Sequence, residues 1–253
     1  MPTPLEVLMD PLSLILIALY FALMTLEALF SARPQPITPY WRTRSLIAYV
    51  IYFFVAVYLP MLWDPLLVDY QLFDLKHLSF ELSLLISFLV FEFGLYFWHR
   101  LLHDSTFLWR TCHQLHHSAE RVDIFGAFYF SPLDMVGFTF LGSFCMAFLI
   151  GVDPQVMTVF LIGGAFLNMF THTAIKTPQW LGYFIQRPEG HSVHHGKGIH
   201  YKNFSEFSFV DMIFGTWENP KNYQEEQGFY HGASTRIPEM LVFKDVSKPK
   251  ETE

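Results

Sequence analysis

Apolar residues run along the chain in five blocks, roughly 11–30, 46–63, 82–98, 135–152 and 156–170, with polar residues gathered between them. Blocks 46–63 and 135–152 hold 18 residues each without a charge, near the length at which a helix crosses about 30 Å of hydrocarbon. The last two blocks are parted only by "DPQ", a Pro-containing link that predicts a tight helical hairpin. The fifth block is short and carries Gly163 and Gly164, which predicts either a partial crossing or close packing on a neighbour. Beyond residue 171 the chain turns polar, with Tyr, Asn and Glu prominent, and reads as a small cap.

Composition supports a membrane protein. The chain is 52% apolar and 18% aromatic, and its 15% of charged residues falls below the roughly 25% of soluble domains. A net charge of −7 drawn from so few charges excludes a basic nucleic-acid surface, so no nucleic acid partner is expected. Cys112 and Cys145 form no CxxC motif and no disulfide framework, as in a reducing or lipid-embedded location. The start "MPTPLEVLMD" lacks the basic region of a cleaved signal, so the first apolar block is expected to stay in the protein.

Charge then orients the blocks. The link after the first carries Arg33, Arg42 and Arg44. The next carries Lys76 against Asp64, Asp69, Asp74 and Glu81. Basic loops lie inside, which predicts an N-terminus outside and the first link in the cytoplasm. Residues 99–130, with Arg100, Arg110 and Arg121, and the chain from Thr171 onward then share the cytoplasmic face. The predicted organisation is all-α, a multi-pass transmembrane helical bundle with a cytoplasmic helical cap. Residues 1–98 are N-terminal transmembrane helices, 99–130 a cytoplasmic segment, 131–172 a transmembrane hairpin and 173–253 a second cytoplasmic segment. Tyr40, Trp41, Trp63 and Trp98 flank the blocks as an interfacial belt.

The histidines change the picture most. "HQLHH" at 113–117 returns as "HSVHH" at 191–195. With 12 His in 253 residues, chance gives one such match roughly 0.03 of the time and two on the order of a thousandth. "WHRLLHD" adds His99 and His103 four apart on one helix face. His113, His116 and His117 share a face, as do His191, His194 and His195, and His172 stands where the hairpin returns. Nine His beside one interface exceed the four ligands of one zinc ion, and imidazole nitrogens bind Fe, Zn, Cu and Ni. The set fits a histidine-rich dimetal site with room for water or O2. His77, His200 and His231 read as surface residues. Glu92 lies seven residues before His99 and is either a functional intramembrane acid or a hydrogen-bonded core residue.

The boxes "HRLLH", "HQLHH" and "HSVHH", with the tail "NFSEFSFVDMIFGTW", resemble the fatty acid hydroxylase/sterol desaturase superfamily over about residues 85–220. That resemblance implies an integral membrane non-haem diiron oxygenase. Its metal ligands would be His99, His103, His113, His116, His117, His172, His191, His194 and His195. The cofactors would be two iron ions, with zinc taking the site in some preparations, and O2 the co-substrate. The sequence departs from the family at Ser205, where Gly is usual, and at Lys176, where some members carry a further His.

An all-imidazole site is strongly cationic and needs carboxylates behind its ligands. Asp104, Glu120, Asp123 and Asp211 are candidates, and Asn168, one turn before His172, is placed to hold that ring. The implied reaction is hydroxylation or desaturation of an aliphatic C–H position on a fatty acyl chain or sterol-like lipid. The sequence carries no G-x-G-x-x-G fingerprint, flavin motif or His-Pro-Gly-Gly segment. Electrons are therefore expected from a separate reductase with a ferredoxin or cytochrome b5-like carrier, at a bacterial inner membrane or endoplasmic reticulum. Two other classes remain. A metal transporter would place its ligands at the bilayer midplane, whereas these boxes sit at helix ends. A zinc hydrolase would carry H-E-x-x-H.

Overall fold

In the computed structural model, which describes residues 1–249, each apolar block is a helix. A short α1 (Pro4–Met9) leads into α2 (Pro11–Phe30), which starts where the Asp10 carboxylate accepts from the backbone N–H of Leu12 and Ser13 and Pro11 fixes the first turn. The second block lies within α3 (Trp41–Val68) and the third within α4 (Phe80–Asp104). The fourth is α7 (Pro132–Ser143), capped by Ser131 and continued by a π-helical turn, Phe144–Leu149. The fifth is α8 (Pro154–Thr171).

The helices outrun the apolar blocks because their ends are charged but satisfied. α3 begins five residues early, and Arg44 in its first turn bonds the Ser234 carbonyl and hydroxyl at 2.6 and 2.7 Å. It continues through Pro60 and Pro65, as membrane helices with close neighbours can. The hairpin alternative resolves toward close packing. A Cβ on Gly163 would lie 2.7 Å from the Phe88 ring, so α8 meets α4 at van der Waals distance only because that residue is glycine.

Outward faces are apolar. Leu14, Ile15, Phe21 and Leu26 on α2 and Ile47, Val50 and Ile51 on α3 are exposed, and a surface of that kind is stable in lipid rather than water. The two ends of the bundle differ. At one end, β1 (Phe73–Asp74) and β2 (Ile150–Gly151) pair in parallel and tie the α3–α4 link to the hairpin turn. At the other end, the Ala32 N–H donates to Ala174 O at 2.7 Å. The buried Glu27 carboxylate there accepts from Ile124 N and Ala174 N at 2.9 and 2.8 Å. Residues 99–130 and those after His172 therefore meet at one end. The cap on that end is built from α5 (Thr106–Leu108), α6 (Gln114–His117), α9 (Pro188–His194), α10 (Ser208–Phe214) and α11 (Ile237–Leu241).

Candidate metal centre

Four segments deliver the histidines. His99 and His103 leave the last turns of α4 on one face, and His172 caps the end of α8. Between α5 and α6 the backbone runs as a π-helical turn, Trp109–His113, whose wider winding re-aims His113 relative to His116 and His117. α9, opened by Pro188, presents His191 and His194, with His195 at its end. Gly228 locks the third box to the second. At φ +73° its N–H donates to His195 O at 3.1 Å, and a Cβ there would lie 2.6 Å from Ala119 O.

The nine side chains fall into two groups. His99, His103, His113, His117 and His194 form one, and His116, His172, His191 and His195 the other. In each, the ligand-competent nitrogens lie within 4.8 Å of one another. In the second group the Nε2 atoms of His116, His172, His191 and His195 follow one another at 3.3, 3.0 and 3.1 Å.

The outer nitrogens decide what the inner ones can do. His99 Nδ1 lies 2.7 Å from Phe204 O, His172 Nδ1 2.7 Å from Asn168 O, and His194 Nδ1 2.7 Å from Lys202 O. A carbonyl only accepts, so each of these Nδ1 atoms carries the ring's hydrogen and leaves Nε2 a bare lone pair. His113 Nδ1 donates to Asp134 Oδ2 at 2.7 Å, with both side chains buried. Yet His99 Nε2 and His113 Nε2 stand 3.0 Å apart. Two lone pairs at that distance repel unless a proton or a metal ion is shared between them. Five further ring nitrogens, on His103, His117 and His194, are buried with no hydrogen-bond partner, a costly arrangement for groups with nothing to bind. Burial, reinforced by neighbouring imidazoles, holds His116, His117, His191, His194 and His195 well below the usual imidazole range. His172 is lowered to about 4 by burial. Convergent, buried and with four of its rings oriented from behind, this donor set fits two metal ions.

The groups behind the site differ from those expected at three carboxylates and at Asn168. Asp104 is exposed and pairs with Arg100 at 3.3 Å. Asp123 accepts from Trp41 Nε1 at 2.9 Å and from Arg121, and Glu120 from the Ser234 hydroxyl at 2.6 Å; these anchor loops rather than rings. The Asn168 side chain donates to Ala127 O at 3.2 Å, and it is the backbone carbonyl of Asn168 that takes His172. Asp211 acts one step removed. It accepts from Phe204 N and Ser205 N, both at 2.9 Å, and from the Thr216 hydroxyl at 2.6 Å, folding the loop that presents Phe204 O to His99. Ser205 fits in place of Gly because its φ is not positive and its hydroxyl donates to Asp211. Lys176 turns away, to Lys221 O and Asn222. His77 and His231 are exposed. His200 stands just outside the site, its ring 5.2 Å from that of His117.

Three residues escaped sequence reading. One is Asp134, the acid that bounds the fourth apolar block, and an acid in the first turn of a membrane helix is the signal that could have found it. The others are Arg187 and Glu189, a buried pair at 2.9 Å at the start of α9. Glu189 also accepts from Thr177 N at 2.9 Å and Thr177 Oγ1 at 2.7 Å, so the pair fixes the helix that carries the third box. Glu92 is buried, its Oε2 taking Glu206 N and Phe207 N at 2.9 and 2.8 Å and its Oε1 without a hydrogen-bond partner.

An apolar cavity of about 440 Å³ opens from His99, His113, His116, His172 and His191 into the bundle. It runs past Tyr52, Phe53, Phe130 and Phe160 as far as Leu12, Pro60 and Asp64. On α3 its lining extends from Tyr49 to Asp64, about 22 Å at 1.5 Å per residue.

Helical membrane bundle, paired histidine groups and lipid-sized cavity define a class, the histidine-box membrane proteins. The chain belongs to the fatty acid hydroxylase family, which matches residues 84–216. Sphingolipid C4-hydroxylase sur2 of Schizosaccharomyces pombe is 27% identical over 148 residues, 56% of this chain and 50% of that protein. Human alkylglycerol monooxygenase is 30% identical over 179 residues, covering 69% and 39%. Ornithine lipid hydroxylase OlsE of Rhizobium tropici is 31% identical over 142 residues, covering 54% and 42%. The chain thus spans half or less of the length of these relatives. No solved structure matches it.

Proposed function

We propose that the protein is a membrane-bound non-haem diiron oxygenase that hydroxylates or desaturates an aliphatic C–H position of a lipid, using O2 and external electrons. The observation that carries this reading is the pair of convergent histidine groups, five and four side chains, at the head of a long apolar cavity. Family membership and the hydroxylase and monooxygenase names of the relatives support it.

His99, His103, His113, His117 and His194 would hold one iron and His116, His172, His191 and His195 the other. Bound there, iron supplies oxidation of an unactivated C–H bond by O2. The protein's own part is positioning. Phe204 O, Asn168 O, Lys202 O and the Asp134 carboxylate fix four rings by their outer N–H groups. The Phe-lined cavity aligns an acyl or sterol-like body and excludes water from the reacting end. Arg33, Arg42, Arg44, Arg100, Arg110, Arg121 and Lys202 lie at the site end, and Asp69, Asp74, Glu81 and Asp153 at the other. By the positive-inside rule the metal centre faces the cytoplasm and the N-terminus the outside. Electrons would come from a separate reductase and carrier.

The test is lipid analysis of a strain lacking the gene, with and without restored expression. A lipid one oxygen or one double bond richer should appear only with the gene, O2 and the intact histidines. Hydrolytic products made with zinc alone, or metal export without lipid change, would contradict the proposal.

A further inference from the structure

Most polar side chains along the cavity wall are already engaged. Asn203 gives its amide to Gly190 O and Glu218 O, both at 2.9 Å, and Ser205 gives its hydroxyl to Asp211 and Phe207 O. Two at the histidine end are not. Gln186 Nε2 and Glu206 Oε2 are buried without a hydrogen-bond partner, and both residues line the cavity that His172 and His191 also line. Gln186 is 3% exposed. Their backbones are joined, Gln186 N donating to Glu206 O at 2.6 Å, so the two side chains rise from neighbouring points. The Gln186 amide is set by Gly190, where a Cβ would lie 2.7 Å from Gln186 Oε1. That contact seats the amide one residue from His191.

An unmade bond on a buried amide or carboxyl costs about 1–3 kcal/mol, and two on neighbouring residues of a largely apolar cavity, far from the unpartnered Asp64 Oδ1 at its other end, mark a place where a ligand completes them. We propose that Gln186 and Glu206 are specificity-determining residues that hold a neutral hydrogen-bonding group of the substrate, a hydroxyl or an amide, a short way along the chain from the carbon presented to the histidines. The inference rests on the lipid-oxygenase reading and narrows it: the substrate carries its polar group next to the reacting carbon and its hydrocarbon toward Pro60 and Asp64. Gln186 Nε2 donates, and Glu206 Oε2 accepts or, when protonated, donates. Burial and the nearby Glu92 carboxyl push Glu206 well above the usual carboxylate range, so the pocket suits a neutral partner rather than an ammonium.

The experiment uses the full chain in lipid nanodiscs, loaded with zinc so that nothing turns over. Hexadecane, hexadecan-1-ol, hexadecanamide and hexadecylamine are titrated, with binding read from tryptophan fluorescence. The alcohol and amide should bind roughly 10- to 100-fold more tightly than the alkane, the factor that two completed buried bonds supply. Gln186→Leu and Glu206→Leu should each erase most of that preference while leaving alkane binding, which also reports folding, within about threefold. Glu206→Gln, which can still accept and donate, should retain it. Equal binding of alkane and alcohol by the unaltered protein would overturn the proposal, as would tightest binding of the amine. Leu variants that weaken all four probes alike would do the same. The readout needs no chemistry. Lipid oxidation without the preference sinks only this inference, and the preference without O2-dependent oxidation of any lipid sinks only the proposed activity.

Discussion

His99 and His113 point their Nε2 atoms at each other across 3.0 Å while each directs its Nδ1 outward, to Phe204 O and to Asp134. The two rings come from α4 and from the π-helical turn after α5, so the fold itself brings the two nitrogens together. A bound cation would relieve the repulsion between their lone pairs, so the pair is suited to share a metal ion.

Asp134 is therefore expected to tune metal affinity. Asp134→Ala should weaken metal binding by roughly 10- to 100-fold, and Asp134→Asn, which still accepts from His113, should cost less. Competition with a chromophoric chelator on the purified variants measures both. Equal affinity for Asp134→Ala and the unaltered protein would remove the carboxylate from the site's account.

His172 belongs to the four-histidine group alone. Its replacement by Ala should leave one metal bound by the five-histidine group and abolish lipid oxidation. Asn168→Ala, which deletes a side chain bonded to Ala127 and spares the carbonyl that holds His172, should keep both metals with affinity within about threefold. Metal per chain separates the two variants. Two metals and normal turnover in His172→Ala would reduce this residue to a surface histidine.

Breaking the buried Arg187–Glu189 pair by Glu189→Ala should destabilise the protein by roughly 3–5 kcal/mol. A guanidinium without its carboxylate would be left in the core, and Thr177 N and Oγ1 would lose the acceptor they share. Thermal unfolding of metal-loaded protein in detergent checks this. A melting temperature unchanged within a degree would refute it.

Acid should destabilise the metal-free protein. Burial depresses the folded-state values of His116, His117, His172, His191, His194 and His195 from an ordinary 6.5, to about 4 for His172. Between those limits the unfolded chain binds protons that the folded chain refuses. Stability is thus full above pH 6.5 and falls as pH drops below it, by up to about 1.4 kcal/mol per unit for each histidine. Denaturant midpoints from pH 7.5 to 5 should fall steeply, and a flat profile would contradict the neutral, buried state of these rings.

The spans and histidine faces were legible because both are periodic and local. An apolar block of 18 residues is visible in any window of that length, and i, i+3, i+4 spacing alone puts three imidazoles on one face. What supports them was not. Asp134 is 21 residues from His113, and Phe204 O reaches His99 over 105. The charge of Asp134 sets the edge of an apolar block, so in sequence it marks an ending rather than a partner. Asp104 and Asp123 were nearer in sequence but turn to Arg100 and to Trp41 and Arg121, because carboxylates at a helix end meet the closest free donor. The Arg187–Glu189 pair carries no periodic signal, and its meaning appears only when Thr177 and Asn219 are brought against it.

The most direct test of the central claim is the iron content of the full chain, loaded and purified under anaerobic conditions, with O2-dependent lipid oxidation followed on the same sample. Two irons per chain, falling to one in His172→Ala, is the predicted result. Folded protein that oxidises lipid with one iron or none would contradict it.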